Sequence, residues 1–121
     1  METTQAVAAL AALAQETRLD VYRLLVQAGE SGLSVGEIGE AVGVAPATLS
    51  FHLKELVHAG LIAPRQVGRY IFYSARYAQM TALLGFLTEN CCADDGTACC
   101  VPAAAQRGTS NKPRKRVLGS A

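Results

Sequence analysis

The sequence predicts a mainly α-helical domain with one β-hairpin, in the order α-α-α-α-β-β-α. Three observations carry that prediction. Apolar residues recur at helical spacing from about residue 4 to residue 60. Within that stretch the short run VGEIGEAVG is separated by only Val44–Ala45 from a second amphipathic run that opens on Pro46. Directly after Gly60 the period changes to that of strands over LIAPRQVGRYIFYSA, and helical spacing returns at residues 76–90. A short helix joined by a tight connection to a longer amphipathic helix is the layout of a helix-turn-helix. The hairpin that follows makes a wing, so the expected fold is a winged helix-turn-helix.

Each element has a local reason. Residues 4–15 are rich in Ala, the best helix former, with Val7, Leu10, Ala11 and Ala14 at helical spacing. Residues 17–28 place Val21, Leu24, Leu25 and Ala28 on one face, and Gly29 follows as a stop. These two runs are either separate helices or one helix kinked near Gln15–Glu16. Ser34 with Glu37 three residues on is a capping box for the short third helix. Val35, Ile38 and Val42 share a side of it, and Gly43 closes it. Pro46 suits the first position of the fourth helix. Leu49, Leu53, Leu56 and Val57 are its expected inward residues, and Gly60 ends it. The hairpin turns at Val67–Gly68, with Tyr70 and Phe72 on one face and Arg69, Ile71 and Tyr73 on the other. Met80, Leu83, Leu84 and Leu87 form the apolar face of the last helix.

With 121 residues, 50% of them hydrophobic, the chain supports one domain and a short tail rather than two domains. No apolar run approaches the ~18–20 residues of a membrane span. The apolar N-terminus lacks a basic n-region, so a cytosolic location is expected. Residues 1–90 carry six Lys/Arg and eight Asp/Glu, a net −2, and residues 91–121 carry a net +3. Any nucleic-acid-facing surface of the body must therefore be a local patch. The chain divides into residues 1–90 as the folded winged-helix domain, 91–100 as a cysteine-rich loop, and 101–121 as an expected disordered basic tail. The tail run NKPRKR either adds weak phosphate attraction or is a solvated end.

In a helix-turn-helix the second helix enters the major groove. Its outward positions are Ala47, Thr48, Ser50, Phe51, His52 and Lys54. Thr48 and Ser50 can hydrogen-bond a phosphate or a base, and Lys54 is a point charge for a phosphate. His52 either donates to a phosphate or purine, or braces the wing from one residue before Leu53. Arg65, Gln66, Arg69 and Tyr70 stand near the wing tip, where Arg suits a minor groove or its phosphates. His58 reads as a surface residue of the last helical turn.

All four cysteines lie within ten residues, at Cys91, Cys92, Cys99 and Cys100. A disulfide scaffold would spread them to staple distant segments. Clustered cysteines point to metal or redox chemistry. Soft thiolates select soft centres, and trivalent arsenic or antimony held by three sulfurs in a pyramid is one such centre. Adjacent Cys91 and Cys92 supply two sulfurs, and the turn-forming run Asp94-Asp95-Gly96-Thr97 brings back a third, with Cys99 favoured over Cys100. Zinc or cadmium would prefer C-x₂₋₄-C pairs. A redox switch between the pairs is the further alternative. An enzyme such as a thiol reductase is disfavoured: there is no C-x-x-C, no βαβ pattern, and no nearby His or Lys to lower a thiol pKa. Asp94 and Asp95 read as solvated turn residues.

The segment SVGEIGEAVGVAPATLSFHLKELVHAGLI, followed by PRQVGRYIFYS, resembles the ArsR/SmtB family of metal-responsive winged-helix repressors. Its most specific part is S-x-H-L-K-x-L-x-x-A-G-L-I leading into G-R-Y-x-x-Y. The upstream LAALAQETRLDVYRLL resembles the family's opening helices, so the likeness spans roughly residues 5–90. It implies a homodimer held by the first and last helices, each protomer reading half of an inverted repeat of operator DNA. Two familiar sensor sites are missing. The thiol positions before the recognition helix align with Ser34 and Gly36, and residues 76–90 hold no His and only Glu89. Sensing is therefore expected at the C-terminal cysteines, as in arsenic-responsive members with a Cys-Cys pair after the last helix.

Overall fold

The computed structural model describes residues 1–95; Cys99, Cys100 and the tail 101–121 lie outside the described residues. Five helices and three strands follow in the order α1 (Thr3–Leu13), α2 (Glu16–Ala28), β1 (Leu33–Ser34), α3 (Val35–Val42), α4 (Pro46–His58), β2 (Ile62–Val67), β3 (Tyr70–Ala75) and α5 (Tyr77–Leu87). A short 3₁₀ turn, Ala93–Asp95, closes the described chain. The expected winged helix-turn-helix is therefore present, with one strand more than the sequence suggested.

The two N-terminal helices are separate. Ala14 leaves helical geometry, and Gln15, in extended conformation, caps α2 by accepting from the Arg18 backbone N–H. The capping box at α3 forms as expected: the Ser34 hydroxyl accepts from the Glu37 N–H, and the Glu37 carboxylate accepts from the Ser34 N–H. Gly43 ends α3 in the left-handed conformation, and Pro46 opens α4.

The sheet has the order β1-β3-β2, all antiparallel. β1 pairs Leu33 with Tyr73 and Ser34 with Phe72. Pro64 is tolerated because β2 is an edge strand, where a missing N–H leaves no ladder bond unmade. Val67 pairs with Tyr70, so the hairpin turns on Gly68–Arg69, one residue later than expected. Gly68 has positive φ and Arg69 does not, the pattern of a II′ turn.

The described chain divides into two compact units at Met80–Thr81, inside α5. In the first, α2 packs on α1, α3, α4 and β3, and the core is Val21, Leu25, Ile38, Leu49, Leu53, Leu56, Leu61 and Ile62. The Tyr77 hydroxyl donates to the Val26 carbonyl at 3.0 Å and ties the start of α5 to the end of α2. The second unit holds the rest of α5, where Leu83 is buried, and the turn that carries Cys91 and Cys92.

Two facial expectations need correction. In α1 the buried residues are Ala6, Ala9 and Ala12, while Val7 and Leu10 face solvent. In α5 only Leu83 of the expected stripe is buried, and Leu84 and Leu87 are exposed. Small alanines let α1 approach the core closely, which leaves its larger apolar side chains on the outside.

Candidate functional site

Helix α4 buries Leu49, His52, Leu53 and Leu56 against the core. With 3.6 residues per turn, the opposite stripe runs through Ala47, Phe51, Lys54 and His58, flanked by Thr48 and Ser50. All six are exposed. Five of the six predicted outward residues are thus exposed on this side of α4. The sixth, His52, is not. It is only 9% exposed, and Arg18 Nη1 donates to its Nδ1 at 3.2 Å. Arginine has no acceptor, so the ring accepts at Nδ1 and carries its hydrogen on Nε2. His52 is a packing residue of α4 rather than a group presented to a ligand. The sequence signal was its place one residue before Leu53, on the inward edge of the helix.

Arg18 has a second bond, from Nε to the Ala12 carbonyl at 2.6 Å. One side chain therefore satisfies a carbonyl near the end of α1, where the helix leaves its last C=O groups without internal partners, and also reaches the reading helix. Sequence reasoning assigned Arg18 no role.

The wing residues differ in freedom. Arg69 occupies the turn and is exposed. Tyr70 is 62% exposed beside it. Gln66 Nε2 donates to the Gly68 carbonyl at 3.3 Å, which braces the turn. Arg65 is exposed, yet its Nη2 donates to the Ser31 carbonyl at 2.7 Å and its guanidinium lies 5.7 Å from the Phe72 ring centroid. Both interactions fix Arg65 along the strand, so Arg69 is the more available cation.

After α5 the chain turns sharply. Asn90 and Cys92 have φ of 60° and 61°, the left-handed region, which Asn adopts readily and Cys rarely. The Cys91 N–H donates to the Thr88 carbonyl at 3.0 Å, and the Ala93 N–H to the Asn90 carbonyl at 3.0 Å. This geometry holds the two sulfurs 3.5 Å apart, both half-buried. Among the described residues no group of three or more His, Cys, Asp or Glu side chains is placed to hold a metal. The pair supplies two donors, and Cys99 and Cys100 fall outside the described residues.

Among the described residues one buried side-chain polar group is unsatisfied. The Tyr22 hydroxyl finds no hydrogen-bond partner. Burial, with a smaller contribution from Tyr77, pushes its pKa above the ordinary tyrosine value.

A short helix, a tight turn, a second helix with an exposed outer stripe and a two-residue wing tip define a winged helix-turn-helix DNA-binding protein. Comparison with known proteins agrees. A helix-turn-helix domain family matches residues 13–65. The chain is 42% identical over 77 residues to YceK of Bacillus subtilis, described as an uncharacterized HTH-type transcriptional regulator, covering 63% of this chain and 76% of that one. The solved structure of HlyU from Vibrio cholerae, a protein named a transcriptional activator, superimposes with a TM-score of 0.60 at 31% identity, over 76% of this chain and 99% of that one. A homodimeric winged helix-turn-helix DNA-binding domain from Mycobacterium bovis, titled as from a possible ArsR-family regulator, gives 0.57 at 30% identity over 72% and 81%. The chain belongs to the ArsR/SmtB-type helix-turn-helix transcriptional regulators. Its relatives are DNA-binding regulators rather than enzymes, and no helix among the described residues is long and apolar enough to cross a membrane.

Proposed function

We propose that this regulator is a homodimeric repressor that leaves its operator when trivalent arsenic, or antimony, is captured by Cys91, Cys92 and a third thiolate from Cys99 or Cys100. The observation that carries this reading is the 3.5 Å separation of the Cys91 and Cys92 sulfurs. With bonds of about 2.3 Å, the length of zinc–thiolate bonds, such a pair subtends about 100° at a shared centre. Both sulfurs can therefore reach one ion, and a third thiolate would complete a pyramidal site. The soft donor set points the same way.

Dimerisation through the first and last helices is supported by the apolar residues each exposes, Val7 and Leu10 on α1 and Leu84 and Leu87 on α5. A domain this small gains stability by covering them with a second copy. Each α4 then reads one half of an inverted repeat. Capture of the ion by these thiolates would pull on α5, and a coupling of about 1–3 kcal/mol would lower DNA affinity ~5–150-fold.

The test is fluorescence anisotropy of the reduced protein on DNA from its own promoter, titrated with arsenite, with zinc and cadmium in parallel. Arsenite should release the wild type and leave a Cys91→Ser/Cys92→Ser variant bound. Release of the variant, or failure of the variant to bind DNA at all, would overturn the thiol assignment. Release by zinc or cadmium but not arsenite would move the reading to those metals, and release by a thiol oxidant alone would make the pair a redox switch. Because HlyU is named an activator, a promoter–reporter assay fixes the sign: repression requires higher output when the protein is absent.

A further inference from the structure

Phe51 is the large apolar side chain on the exposed stripe of α4, and it is 56% exposed. It stands one turn after Ala47 and one turn before Lys54, on the side opposite Leu49, Leu53 and Leu56. Its ring meets the buried His52 ring edge-on, with centroids 5.4 Å apart and planes at 65°. His52 is itself held by Arg18, so the phenyl ring is braced from behind and directed outward. An aromatic ring this exposed contributes nothing to the core, and a lysine beside it is the kind of neighbour expected at a phosphate-facing surface.

A phenyl ring has no donor or acceptor for a base edge. Pressed against guanine, cytosine or adenine in the major groove, it would strip water from polar atoms without replacing their hydrogen bonds. Thymine alone among the four bases presents a methyl group there, and apolar side chains are its complement. We propose that Phe51 is a specificity-determining residue that packs on the 5-methyl group of a thymine in the site read by α4. The proposal rests on α4 being the base-reading helix.

The experiment begins with selection of binding sites by the full-length, reduced protein from a random duplex pool. Each thymine fixed by the selection is then replaced singly by deoxyuridine, which differs only in lacking the methyl, and affinity is measured by anisotropy. Removing the methyl that Phe51 covers should weaken the wild type about fourfold at one position in each half-site, the equivalent of ~0.8 kcal/mol per methyl. Phe51→Ala should lose that methyl dependence while keeping the rest of the selected site, and Phe51→Leu should retain part of it. Circular dichroism and a thermal melt establish that the variants are folded, as expected for an exposed position. No position sensitive to deoxyuridine, or the same penalty in wild type and Phe51→Ala, would overturn the assignment of Phe51 alone. Failure of the wild type to select any sequence would overturn the base-reading role of α4, and this inference with it.

Discussion

Arg18 joins the junction of the two N-terminal helices to the reading helix: its Nη1 lies 3.2 Å from His52 Nδ1 while its Nε holds the Ala12 carbonyl at 2.6 Å. Helix α1 is one of the two proposed dimerisation helices, and α4 is the proposed base reader. A single guanidinium is therefore shared between them. Movement of either partner must break or lengthen one of these bonds, which makes Arg18 a positioning residue for α4.

The first prediction concerns that link. Arg18→Leu keeps much of the side-chain volume and leaves the Ala12 carbonyl and His52 Nδ1 without their donor. A stability loss of about 1–3 kcal/mol is expected by urea denaturation. A double-mutant cycle with His52→Leu should show a coupling of at least ~0.5 kcal/mol. Strict additivity would mean that the two side chains do not cooperate.

Tyr22 supplies a pH prediction. Its hydroxyl is buried without a partner, and its pKa is raised by that burial. A raised tyrosine pKa favours the neutral form in the folded protein. The associated stability is therefore fully present below the ordinary value of about 10 and is lost as pH rises through the higher folded value. Tyr22→Phe should keep the core volume, leave stability at neutral pH unchanged or raise it by about 1 kcal/mol, and flatten the alkaline loss. An equally steep decline above about pH 10 in the variant would assign that loss to other groups.

Gly32 separates two kinds of glycine requirement. It has φ of 73°, and a Cβ there would run into the Tyr73 carbonyl of β3. Gly43 has φ of 69° with open space around it. Gly43→Ala should therefore cost only the left-handed penalty of about 1–2 kcal/mol. Gly32→Ala should cost more, because β1 must also shift away from β3. Equal midpoints in a thermal melt of the two variants would show that β1 gives way freely.

The wing arginines should differ on DNA. Arg69→Ala is expected to weaken binding to all sequences alike and to reduce the magnitude of the salt slope by about 0.9 for each phosphate the arginine neutralises. Arg65 is engaged with Ser31 and Phe72, so Arg65→Ala should change the slope less and lower thermal stability more. The opposite ranking, read from anisotropy at several salt concentrations, would place Arg65 at the phosphate.

Much of this architecture follows from local rules. The Ser34–Glu37 capping box, Gly43 and Pro46 each act within a few residues and formed where the residues place them, while the wing turn keeps its glycine but falls one residue later. The exposed positions of Ala47, Thr48, Ser50, Phe51 and Lys54 follow from helical periodicity once Leu49, Leu53 and Leu56 are taken as core. The adjacent pair Cys91–Cys92 was visible as chemistry, but its 3.5 Å sulfur separation and the left-handed backbone at Asn90 and Cys92 are visible only in the structure.

The sequence of five helices and a hairpin, and the outer stripe of α4 apart from His52, were thus legible in the residues alone, because caps, turns and periodicity are short-range effects. Long-range packing settled the rest. Periodicity could not say that α1 turns its alanines inward and leaves Val7 and Leu10 outside, since that depends on how closely α1 approaches the core. Two residues, Leu33 and Ser34, are too few to show strand alternation and became β1 only because β3 offered an open edge. His52 sits on the inward edge of α4 beside Leu53, and its bond to Arg18, 34 residues away in the chain, is a long-range pairing that no local rule encodes.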